Sequence, residues 1–91
     1  MKISNEFVLR GIEGDYIIVP TGKEALQFNG IITLNEVGVV IWELLQKETT
    51  CEEIVQTIME TYEVEEAEVQ EDVQEFLEKL LAEGILKGTI E

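Results

Sequence analysis

Between Phe7 and Ile12 the chain reads FVLRGI, and between Asp15 and Pro20 it reads DYIIVP. Only Glu13-Gly14 separates these two β-rich runs, and a two-residue link whose glycine can take positive φ predicts a hairpin. Pro20-Thr21-Gly22 ends the second strand. The segment EALQF, Glu24 to Phe28, carries no decided period, but the Asn29-Gly30 after it is the strongest short turn signal in the chain. IITL, Ile31 to Leu34, is then β-branched and strand-like.

At Asn35, a residue suited to capping, the period changes to that of a helix, with apolar positions at Val37, Val40, Ile41, Leu44 and Leu45. Gly38 inside this run costs helix propensity, which is understandable if another backbone passes close by. Trp42 lies beside the stripe, at its edge. A second helix opens at Thr50, with Glu53 three residues on as a capping box, and presents Ile54, Val55, Ile58, Met59 and Tyr62. The third begins near Glu66 and carries Val69, Val73, Phe76, Leu77, Leu80 and Leu81 on one face. Gly84 sits where a C-terminal cap belongs, and ILKGTI after it predicts a final short extended piece. Three antiparallel strands, four if Ala25 to Phe28 also pairs, followed by three helices make a small α+β domain of winged helix-turn-helix type over residues 1–91.

Winged helices commonly bind DNA, and here charge changes the picture. The 91 residues hold six basic and twenty acidic side chains, a net charge of −14. Residues 1–47 account for −2 of this and residues 48–91 for −12, with no basic residue between Lys47 and Lys79. Contact with phosphate backbones depends on Lys and Arg, so the balance argues against nucleic acid and against anionic membrane surfaces. No apolar run approaches the ~18 residues of a membrane span. The first residues also lack the basic-then-apolar layout of a secretion signal, which predicts a cytoplasmic protein.

Candidate chemistry is sparse. There is no His, one Cys (Cys51) and one Ser (Ser4), so neither a zinc set, nor an internal disulfide, nor a partnered nucleophile can be assembled. Cys51 falls at a helix start, where the dipole favours a thiolate, but it has no imidazole to work with. The chain is expected to be no enzyme and to need no cofactor or metal.

Four stretches taken together carry a resemblance: FVLR near the start, LNEVGVVIWELL from Leu34 to Leu45, EEIV with its following Tyr62, and DVQEFLEKLLAEGIL from Asp72 to Leu86. In order and spacing over about 80 residues they resemble the PqqD family. Members of that family, also called RiPP recognition elements, are small peptide chaperones. They bind the leader of a ribosomally made precursor and deliver it to a modifying enzyme, often a radical SAM protein, in natural-product biosynthesis.

The resemblance implies that a leader adds as a strand to the sheet edge and lies against the third helix. It places the peptide site at Ile31, Ile32, Thr33 and Leu34 on the edge strand and at Val69, Val73, Phe76 and Leu77 on the helix. Alternation sets Ile32 and Leu34 opposite to Ile31 and Thr33, so the four cannot all face one groove. Asn29-Gly30 is placed to fold Ala25 to Phe28 back onto this strand, over the edge that the peptide needs. Asp72 is expected to pair with Arg10, the only arginine. The remaining readings are a winged-helix adaptor in an unrelated pathway and a DNA regulator, the latter disfavoured by charge. An exposed sheet edge also leaves homodimer formation open.

Overall fold

The computed structural model describes residues 1–4, 6–21 and 32–90. The expected turn at Asn29-Gly30, the segment Ala25 to Phe28 and the candidate Ile31 all lie outside the described residues. In chain order the elements are β1 (Lys2–Ile3), β2 (Phe7–Ile12), β3 (Asp15–Pro20), β4 (Ile32–Leu34), α1 (Glu36–Leu44), α2 (Cys51–Thr61), α3 (Glu66–Ala82) and β5 (Leu86–Lys87). This is an α+β fold, with antiparallel strands first and three helices after them.

β2 and β3 form the hairpin, in a register that sets Ile12 opposite Asp15 and leaves a two-residue loop. Both loop residues take positive φ, 47° at Glu13 and 88° at Gly14, as the right-handed twist of two strands joined this tightly requires. β4 pairs with the other side of β3, giving the order β2-β3-β4. Phe7, Ile18, Ile32 and Leu34 share one face of this sheet and are buried against the helices. Arg10, Ile17 and Thr33 share the other face.

Asn35 caps α1, its Oδ1 accepting from the Gly38 N–H at 2.8 Å. The buried positions on α1 are Gly38, Ile41 and Trp42, followed by Leu45 just beyond its end, so the helix is turned relative to the valine-based stripe. Trp42 is therefore core, 4% exposed, and not an edge residue. The cause is Gly38: a β-carbon there would lie 3.2 Å from Leu34 Cβ, so the missing side chain lets the helix settle onto that strand residue. The close neighbour is a side chain, not the backbone expected from the sequence.

The Thr50 hydroxyl caps α2 by accepting from the Glu53 N–H at 3.2 Å. The Glu53 carboxylate accepts instead from the Thr49 hydroxyl at 2.9 Å. α3 ends in a Schellman motif around Gly84, φ 75°, in which Gly84 N–H donates to Leu81 O and Ile85 N–H to Leu80 O. That turn aims Leu86 and Lys87 back at β1, a strand the sequence did not announce. β1 and β5 make a separate two-stranded sheet, and β1 ties it to the α1–α2 connection, with Ile3 N–H donating to Leu45 O at 2.9 Å, while Ser4 N–H donates to Ile85 O just ahead of β5 at 2.8 Å. One apolar cluster, from Met1 and Ile3 through Ile54, Ile58 and Leu77 to Leu86, joins all these elements.

Candidate functional site

Among the described residues β4 is hydrogen-bonded to a strand on one side only, where it meets β3. Beside it opens a groove of about 790 Å³. Thr33 and Leu34 form one wall, continued by Val37, Gly38 and Ile41 of α1. Val69, Val73 and Phe76 of α3 form the facing wall, and Ile58 of α2, Tyr62 just beyond its end and Val64 complete the lining. The lining is mainly apolar because each of these three helices turns part of its core stripe toward a space that no described element fills. Polar groups sit at the rim: Asp15, Asn35 and Asp72 border the groove, and the Tyr62 hydroxyl donates to Glu36 Oε1 at 3.2 Å.

Of the residues named from the sequence, the structure brings Thr33, Leu34, Val69, Val73 and Phe76 to this groove. Ile32 and Leu77 do not line it. Ile32, 5% exposed, sits beside Ile18 on the buried sheet face, and Leu77, 0% exposed, lies on the part of α3 that points straight into the core. Val73 serves both, since it lines the groove yet is 1% exposed. Thr33 is exposed and points away from the core face, so its place at the groove is at the strand edge. Val37, Ile41, Ile58, Tyr62, Val64 and Asp15 were missed. Tyr62 carried the only usable signal, an aromatic at the very end of a helical stripe with a polar tip in need of a partner.

The expected Asp72–Arg10 pair is not formed. Arg10 is exposed on the sheet face shared with Ile17, away from the buried face, and Asp72 borders the groove.

Burial, with the hydrogen bond to Glu36 and that carboxylate's charge adding to it, raises the Tyr62 phenol above its ordinary value. Burial also raises the Cys51 thiol, against the pull of the helix start. Among the described residues no group of three His, Cys, Asp or Glu side chains is arranged to hold a metal ion. Among them, too, no helix is long and apolar enough to cross a membrane.

Comparison with known proteins bears on what fills such a groove. The family model of coenzyme PQQ synthesis protein D (PqqD) matches residues 7–86. Among solved structures, TbiB1 in complex with the TbiA(beta) leader peptide is similar over 100% of both chains, with a TM-score of 0.78 and 32% sequence identity. No curated protein matches significantly.

Proposed function

The chain belongs to the PqqD family, and from that premise we propose that it is a non-catalytic, leader-peptide-binding chaperone of natural-product biosynthesis. It takes the leader of a ribosomally made precursor into the groove between β4 and α3 and presents it, in the cytoplasm, to a modifying enzyme of radical SAM type. The observation that carries this reading is the conjunction of a strand edge with an apolar wall set across from it.

Strand addition supplies main-chain hydrogen bonds that depend little on peptide sequence. Specificity then comes from alternate side chains, because those on the same face as Ile32 and Leu34 are directed into the space between Leu34 and Val37 on one side and Val69, Val73 and Phe76 on the other. Ile32 and Leu77 act behind this wall as its packing. That a relative 32% identical was solved with a leader peptide supports the same class of ligand here.

The test is a titration of isotope-labelled protein with the leader of a precursor encoded beside its gene. Amide signals of Ile32 to Leu34 and side-chain signals of Val69, Val73 and Phe76 shift together on binding. Shifts confined to α2, with Ile32 to Leu34 unmoved, would overturn the strand-addition reading.

A further inference from the structure

A second groove, of about 760 Å³, lies between α2 and α3 on the other flank of α3. Asp72 and Phe76 face the first groove, whereas Glu66, Gln70 and Gln74, spaced four residues apart, face this one. Its apolar lining comes from α2: Val55, the half-buried Cys51, and Met59, a flexible thioether left 36% exposed.

Its rim carries the negative charge of Glu52, Glu60 and Glu66 among the amides of Gln56, Gln70 and Gln74. Gln70 donates its amide to Glu66 Oε1 at 3.2 Å, and Gln74 donates to Glu78 at 3.1 Å, which fixes the α3 side of the rim as a ladder. With no basic residue between Lys47 and Lys79, the chain supplies no cation of its own along either helix up to that point.

We propose that this α2–α3 groove docks a basic amphipathic segment of a partner protein, with apolar side chains on Val55 and Met59 and flanking Lys or Arg on the glutamates. That the partner is the enzyme receiving the leader rests on the function proposed above. Because the two grooves lie on opposite flanks of one helix, about 10 Å across, leader and partner can be held at the same time.

The probe is a synthetic helical peptide with leucines on one face and lysines on the other. It shifts the amides of Cys51, Val55, Met59, Gln70 and Gln74, and its association slows as salt rises. Two variants matched in charge separate a docking groove from a general polyanion, since each Glu→Lys change counts two units and each Gln→Lys one. The first is Glu60→Lys with Gln70→Lys and Gln74→Lys; the second is Glu71→Lys with Glu75→Lys, on the back of α3. All five positions are exposed, so both variants fold.

The groove variant weakens the probe by about tenfold and the back-face variant by less than about twofold. Equal losses in the two, or a wild-type protein that does not bind the probe, overturn the proposal. The leader is titrated into the same samples. Its binding is kept by the groove variant, and a wild-type protein that takes the probe but no leader overturns the leader reading and the partner's identity while leaving the docking groove.

Discussion

Phe76→Ala and Leu77→Ala, neighbours in sequence, separate groove from core. Phe76 is half-buried and lines the groove, whereas Leu77 is 0% exposed and lies behind it. A phenylalanine presents about 200 Å² in all, so on the order of 50 Å² of the Phe76 ring stays open for a bound peptide to cover. At ~25 cal/mol per Å² that surface contributes about 1 kcal/mol to binding, and the matching peptide surface a similar amount. Phe76→Ala is therefore expected to weaken leader binding by about 1–2 kcal/mol, or ~5- to 30-fold in Kd. The same change lowers stability by only about 1–3 kcal/mol, below the full cost of a buried aromatic. Leu77→Ala does the reverse, costing about 2–5 kcal/mol of stability through an unfilled cavity while the molecules that remain folded bind as before. Calorimetric titration and urea unfolding on the same preparations measure both quantities. If Phe76→Ala leaves Kd within about twofold of wild type, or if Leu77→Ala weakens the folded protein as much as Phe76→Ala does, the assignment of the α3 wall is wrong.

Three further outcomes follow from local geometry. Asn35→Ala removes the cap on Gly38 N–H and lowers unfolding free energy by about 1 kcal/mol in urea; a change near zero would show that the α1 start is held by packing alone. The Tyr62 phenol, favoured neutral by the fold, titrates above 10.0, so its share of stability is intact below that pH and is lost as pH rises through its folded value. Loss of this late step from the phenolate absorbance curve in Tyr62→Phe identifies it, and an unchanged curve refutes it. Cys51, with its thiol raised by burial, is alkylated more slowly at neutral pH than a cysteine in an unfolded peptide; faster modification would mean that the helix dipole outweighs burial.

Much of the frame was legible because its signals are local. Glu13-Gly14, Asn35, Thr50 and Gly84 each mark an element boundary by chemistry that acts within a few residues, and each appears where that chemistry predicts. β1 was not legible, because Lys2 and Ile3 form a strand only by meeting Leu86 and Lys87 at the far end of the sequence. Periodicity also misjudged α1, since a count of apolar side chains cannot register Gly38 as a buried position. The groove was half legible for the same reason: a stripe such as Val69, Val73, Phe76 and Leu77 marks which face of α3 is apolar, but the division of that face between core and cleft is set by where α1 and α2 end. Tyr62 and Ile58 enter the groove only through that packing.

The described part of β4 is three residues long, or about 10 Å of strand. A bound peptide that slips by one residue turns its apolar side chains out of the cleft. A slip of two restores the facing but displaces everything downstream by about 7 Å. An edge read in steps of two would act as a ruler: it would fix how far beyond the protein's surface the rest of a captured chain extends, and therefore which residue of that chain stands at a fixed reach from the groove.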